Sequence, residues 1–370
     1  MSNGCISLAV VAKIRLQERT SMSQELPRQN ITERVVNFTA GDGLECNLIN
    51  IRGERPADKG PVILVHGAGV RANIFRAPVD ATIVDFLVGH GYDVWLENWR
   101  ASIDFAPNRW TLDQAAIYDH PVAVKTVVKE TGWDSVKAII HCQGSTSFMM
   151  SAVAGLVPEV KTIIANAVTL HTIVPATAAI KIRVALPMVS PFIDYLDPQW
   201  GIEAPTVMAK LITLFVRMTH HECDNLVCRM ASFTYGTGFP TLWRHENLNP
   251  ETHDWLKSEF AHVPLRFFQQ MSRCLSRGNL VSVEGKQELP EDFLADPPQT
   301  DARIAFFAGE LNRTFLAEGQ RKSFDYFNSY RKDYHSLHVL PEYAHLDIFM
   351  GKNASVDVFP LMVAELDKPN

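Results

Sequence analysis

The stretch V-K-A-I-I-H-C-Q-G-S-T-S-F, residues 136–148, runs from an apolar strand through a sharp turn into a helix. A strand that ends in a tight turn and a helix is the place where an α/β sheet can present a nucleophile, and the usual pattern there is G-x-S-x-G. Here a cysteine stands at the end of the strand. Ser145 as nucleophile would have Gln143 and Ser147 two residues to either side; Ser147 would have Ser145 and Met149, so neither serine has the small flanks a tight elbow needs. Cys142 has Gly144 at the following position and Ile140, not glycine, at the preceding one. A helix beginning at Cys142 would place the thiol in the partial positive charge of its N-terminus and is expected to lower the thiol pKa. The alternative is a buried structural cysteine.

Working outward, Arg34–Thr39 and Leu44–Ile51 read as strands separated by the turn G-D-G. Short apolar runs follow: P-V-I-L-V-H, Y-D-V-W-L-E, V-K-A-I-I-H, V-K-T-I-I-A, R-I-A-F-F-A and H-S-L-H-V-L. Such runs suit strands buried on both faces. Helical patterns over Ala81–His90, Gln114–Thr131, Ser145–Gly155 and Glu318–Tyr330 alternate with them. Strand alternating with helix predicts a mostly parallel, eight-stranded α/β sheet flanked by helices. The alternation stops between Ile182 and Glu284, a segment rich in Pro, Met and aromatic residues. That segment is expected to be an inserted, mainly helical lid without strands. The expected division is residues 1–182 for the first part of the core (1–32 an extension), 183–283 for the lid and 284–370 for the second part of the core.

Three further stretches carry chemistry. The strand P-V-I-L-V runs into H-G-A-G, residues 66–69, where glycines let backbone N–H groups turn into a cleft. His345, in A-H-L-D after the last strand, is the candidate base, because a loop imidazole can swing to the elbow. His141 is expected to point to the other side of the strand end. After R-I-A-F-F-A comes G-E-L-N-R-T-F, residues 309–315, and there Asn312 can orient the imidazole by accepting its Nδ1–H. Glu310 and Asp347 are alternative orienters. Trp95, Trp99, Arg100 and Asp104 are candidates for the mouth of the site. Trp99, Met188, Phe192 and Phe215, together with Met208 and Met218, are candidates for an apolar acyl pocket.

Composition narrows the class. The chain has 370 residues, 46% hydrophobic and 21% charged, with a net charge of −6, so it has no basic footprint for nucleic acid. Its six cysteines are irregularly spaced and form no disulfide framework. The N-terminal apolar run lacks a basic flank and is soon followed by charges. No signal peptide, anchor or stable membrane insertion is therefore expected, and the expected compartment is the cytoplasm. The stretch H-H-E-C-D-N-L-V-C, residues 220–228, does not match common zinc spacings. It is read as a lid helix with mixed polar residues, and no metal or cofactor is expected.

Taken together, H-G-A-G, G-Y-D-V-W-L-E-N-W-R, A-I-Y-D-H-P, H-C-Q-G-S and H-L-D-I-F-M-G-K-N-A resemble the α/β-hydrolase fold, in particular its acid-lipase-like branch. The chain looks most like the hydrolase-type domains attached to cholesterol-oxidase-like flavoproteins, which share H-C-x-G, G-x-x-N-R-x-F and H-L-D. The likeness covers roughly residues 43–366. No Gly-rich dinucleotide motif accompanies it, so no flavin part is expected. Acid lipases carry Ser at the elbow and Asp as the acid, and both differ here. What the resemblance implies is acyl-enzyme chemistry: Cys142 attacks a carbonyl, His345 shuttles the proton, Asn312 orients His345, and the N–H groups of Ala68 and Gln143 hold the oxyanion. The expected activity is acyl transfer or thioester hydrolysis on a lipophilic small molecule, free or carrier-bound. Carboxylester hydrolysis and a non-catalytic binding role are the alternatives.

Overall fold

A computed structural model describes residues 30–221, 223–236 and 241–369. All eight expected strands form, and they lie in one sheet. They are β1 (Thr32–Thr39), β2 (Glu45–Arg52), β3 (Pro61–Val65), β4 (Asp93–Asn98), β5 (Val136–His141), β6 (Val160–Asn166), β7 (Arg303–Gly309) and β8 (Ser336–Leu340). The order across the sheet is β1-β2-β4-β3-β5-β6-β7-β8. β2 runs antiparallel to both β1 and β4, and every pairing from β4 through β3 to β8 is parallel. The continuous apolar runs follow from this burial. In β3, Ile63 and Val65 enter one core cluster while Val62 and Leu64 enter the other, so both faces of the sheet are dry.

The principal helices are α1 (Ile83–Gly89), α2 (His120–Thr131), α3 (Cys142–Val153), α4 (Val207–Thr219), α5 (Leu226–Tyr235), α6 (Leu265–Arg277), α7 (Ala317–Tyr330) and α8 (Phe359–Asp367). α3 starts directly at the end of β5, and all of its residues are buried. α1 opens with a capping box in which Thr82 and Asp85 satisfy each other's backbone N–H groups.

The break in the strand–helix alternation is real, since among the described residues no strand of the large sheet lies between β6 and β7. The expectation that this segment holds no strands needs correction. The segment holds a short antiparallel ladder of its own, Tyr195–Leu196 against Val263–Pro264. Not all of it stands away from the sheet: Leu242, Trp243, Leu248, Leu256 and Phe260 pack into the same cluster as Ile348 and Phe349. Their apolar surface is buried as deeply as that of the strands, so this part belongs to the core.

Candidate active site

Cys142 adopts φ +57°, a left-handed conformation that costs a non-glycine residue free energy and that survives only where its surroundings enforce it. Two things enforce it: β5 is locked into register with β3, Val65 opposite Ile140, and α3 must start at once. Gly144 is required by close approach. A Cβ there would lie 2.1 Å from the His66 carbonyl oxygen, because the first turn of α3 passes over the end of β3. The absent glycine at the other flank has a simple account: Ile140 lies inside β5 and its side chain is part of the core.

The Cys142 sulfur accepts from the backbone N–H groups of Gln143 and Ala68, the two donors expected of an oxyanion pocket. One ring nitrogen each of His141 and His345 lies within 4.8 Å of the sulfur and of the other. His345 Nε2 is buried without a hydrogen-bond partner. Contrary to expectation, His141 does not turn away: its ring lies 4.6 Å from that of His345, and its Nδ1 is 2.7 Å from Asn166 Nδ2.

Of the three candidate orienters, Asn312 is the one bonded to His345, Nδ2 to Nδ1 at 3.0 Å. Glu310 is turned outward and paired with Arg321. Asp347 accepts from the backbone N–H groups of Ala344 and Arg244 and from Asn247 Nδ2. The direction of the Asn312 bond differs from expectation. Asn312 Oδ1 already accepts from the N–H groups of Thr314 (2.9 Å) and Phe315 (3.1 Å), so the amide turns its NH2 to the imidazole. His345 Nδ1 is then an acceptor, and the ring proton sits on Nε2.

The electrostatics also differ from the helix-terminus expectation. Burial pushes the Cys142 thiol up to about 12, offset only in part by the N–H groups of Gln143 and Ala68. Burial likewise pushes the His345 imidazole down to about 3. The resting pair is therefore a neutral thiol beside a neutral imidazole, and not an ion pair.

Cys142 and Gln143 open onto an apolar cavity closed by Leu186, Val189, Phe233 and Phe268. Three polar side chains on its wall, Gln143, Thr234 and Thr314, have buried atoms without partners, so they are available to a polar group on a bound molecule. The expected pocket residues are not there. Trp99 is fully buried below the site and donates to the His66 carbonyl at 2.9 Å. Met188, Phe192 and Phe215 are 68%, 68% and 55% exposed on the outside of the inserted segment. The other mouth candidates are also placed elsewhere: Trp95 is core, Arg100 is held by Asp119 and Asp42, and Asp104 is paired with Arg71.

Sequence reasoning missed two residues. Tyr235, the last residue of α5, donates its hydroxyl to the Ala68 carbonyl at 2.9 Å. Gly69, at φ +67°, makes room for it, since a Cβ there would meet the Tyr235 oxygen at 2.1 Å. Lys181 donates to the carbonyls of Phe233 and Gly236 on the cavity wall, and burial pushes its ammonium group down to about 7. Nothing local marks Tyr235, and the one trace of Lys181 is a lysine inside the apolar run A-A-I-K-I, residues 178–182.

No family model matches the chain. Among curated proteins, it is 27% identical over 107 residues to sterol esterase 2 of Saccharomyces cerevisiae, an alignment covering 26% of this chain and 20% of that protein. It is 26% identical over 150 residues to lipase 1 of Drosophila melanogaster, covering 37% of this chain and 33% of the relative. The gastric triacylglycerol lipase of Rattus norvegicus is 30% identical over 106 residues, covering 25% and 26% respectively. The chain thus spans a fifth to a third of the length of these relatives. Among solved structures, an esterase of Exiguobacterium antarcticum superposes with TM-score 0.55 at 11% identity, covering 90% of this chain and 99% of that one. A thermophilic esterase of Thermogutta terrifontis gives 0.51 at 12% identity, covering 90% and 100%. With the strand order, the parallel pairings and the elbow between β5 and α3, these superpositions show that the chain has the α/β-hydrolase fold.

Proposed function

We propose that this protein carries out acyl transfer on a lipophilic ester or thioester through an acyl-Cys142 intermediate. The observation that carries this reading is the placement of the Cys142 sulfur. It sits on a left-handed elbow, between two backbone N–H groups, at the base of an apolar cavity. The lipid-ester-acting names of the curated relatives support a lipophilic substrate. In the first half-reaction the sulfur bonds to the carbonyl carbon, and the thiol proton passes to His345 Nε2. The oxyanion lies between the N–H groups of Ala68 and Gln143. His345 then gives that proton to the departing alcohol or thiol as the C–O or C–S bond breaks. Water, an alcohol or an amine completes the second half. The Asn312 amide sets the pace, because His345 can accept at Nε2 only with its proton on Nδ1, where the Asn312 NH2 opposes it.

The neutral resting pair favours a second reading, a binding protein that holds a lipophilic ester without turning it over. One experiment separates the two. The full chain is incubated with a medium-chain acyl thioester and with a p-nitrophenyl ester, followed by intact-mass measurement. An acyl adduct that disappears in Cys142→Ala is the expected result. Binding of the donor without adduct or turnover, identical in both proteins, would establish the second reading instead.

A further inference from the structure

Away from the cavity mouth, the inserted segment brings together four side chains that the sequence keeps apart: Cys223, Cys228, His245 and His253. One sulfur or ring nitrogen of each lies within 4.8 Å of all the others. Cys223 Sγ is 3.4 Å from His253 Nε2, Cys228 Sγ is 3.6 Å from His245 Nε2, and the two Nε2 atoms are 3.2 Å apart. A tetrahedral zinc with Zn–S of about 2.3 Å and Zn–N of about 2.05 Å requires S···N of about 3.6 Å and N···N of about 3.3 Å. Three of the six edges of this cluster thus have the lengths of a tetrahedron around an ion, and the other three lie within 4.8 Å. Both imidazoles offer the same atom, Nε2, to one centre, and neither cysteine is in a disulfide.

We propose that Cys223, Cys228, His245 and His253 form a structural zinc site. The order is C-x4-C-x16-H-x7-H, and it departs from common finger spacings because the two histidines come from a different stretch of chain. The adjacent His220 and His221 are not among the four. Binding releases two thiol protons, so two thiolates, two neutral imidazoles and Zn2+ leave no net charge in a mostly buried place. Two sulfur and two nitrogen donors in a tetrahedron select zinc over the hard cations. All four positions are filled by protein, so the site is closed and structural.

Supporting bonds hold the donors in place. The Asn225 N–H donates to Cys223 Sγ at 3.3 Å, and Asn225 Nδ2 donates to the His253 carbonyl at 2.9 Å. Asn225 Oδ1 also caps α5 by accepting from Cys228 N–H. The ion would therefore tie the start of α5 to the short helix Pro250–Trp255. The far end of α5 carries Phe233, Thr234 and Tyr235, which wall the cavity and brace the Ala68 peptide. The zinc site is independent of the proposed acyl chemistry.

The test is metal analysis of tag-free, full-length protein. One zinc per chain is expected, lost in Cys228→Ser and in His245→Ala but retained in Cys142→Ala. Native mass should exceed the denatured mass by one zinc ion less two protons. Should the ligand variants not fold, mercurial titration of the wild type decides, with one zinc released per chain. Replacement by Co2+ should produce the visible bands of a tetrahedral thiolate site. A zinc-loaded wild type holding no stoichiometric metal, a mass two hydrogens low from a Cys223–Cys228 disulfide, or zinc retained in a folded Cys228→Ser would overturn the assignment.

Discussion

The hydrogen bonds of one amide set the chemistry of the candidate site. An aspartate at position 312 could accept from the N–H groups of Thr314 and Phe315 with one oxygen and from His345 Nδ1–H with the other. Asn312 can accept only with Oδ1, which the two backbone groups already occupy. Restoring the acid should therefore release Nε2 as a base and raise the rate. Asn312→Asp is expected to accelerate acylation of Cys142 by up to about 10⁴-fold, the factor by which the reverse change slows a serine triad. The pH dependence follows from the same residues. With the Cys142 thiol pushed up to about 12 and the His345 imidazole held down to about 3, neither of these two groups titrates between those limits. Deprotonation of the thiol favours attack, so iodoacetamide labelling of Cys142 should climb about tenfold per pH unit from 7 to 10, with no plateau at low pH. A rate already flat at pH 6 would mean a preformed thiolate–imidazolium pair and would refute the assigned tautomer.

At the scale of an element, α3 carries two constellations with nucleophile, imidazole and orienting group. At its start stands Cys142 with His345 and Asn312. One turn further on, Ser147 Oγ lies 2.7 Å from His120 Nε2, and His120 Nδ1 lies 2.9 Å from Glu97 Oε1. The distances in the second set are those of a serine triad, yet all three side chains are buried and none of them lines the apolar cavity at Cys142. Ser147 Oγ also donates to the Gln143 carbonyl at 3.1 Å. This set pins α3 to α2 and β4. Ser147→Ala should leave adduct formation at Cys142 unchanged. It should destabilise the fold by about 1–3 kcal/mol in denaturant titration, the cost of leaving a buried partner unpaired. Loss of the adduct in a folded Ser147→Ala protein would move the nucleophile to that serine. The elbow itself was legible in the sequence, since Gly144 and the strand before Cys142 are local features. Which way the Asn312 amide faces was not, because that depends on N–H groups positioned by the turn after β7.

On the whole molecule, the inserted segment has two faces. Leu186, Val189 and Ile212 line the cavity. Ile180, Val184, Met188 and Phe192, four residues apart, are exposed, as are Val207, Leu211, Leu214, Phe215 and Met218 on α4. An exposed apolar surface of this kind, on the stretch whose Leu186 and Val189 line the cavity, predicts a contact face that takes delivery from a lipid surface. Among the described residues no helix is long and apolar enough to cross a membrane. Full-length protein is expected to co-sediment with neutral phosphatidylcholine vesicles. Met188→Glu with Leu214→Glu should weaken that partition at least about tenfold while sparing turnover of a short, water-soluble ester. An unchanged partition would assign the face to another contact.

The sequence by itself determined the sheet and the elbow at Cys142, because burial on both strand faces and a glycine at a sharp turn leave local traces in residue order. The candidates His345 and Asn312 came from the loops after the last two strands and from the resemblance to the hydrolase pattern. Only the tertiary structure decided the protonation states and the direction of the Asn312 bond. It also decided the true wall of the cavity and the meeting of Cys223 and Cys228 with His245 and His253. Desolvation and ligand geometry depend on which distant segments close over a group, and a stretch such as H-H-E-C-D-N-L-V-C carries no record of the histidines that will face it.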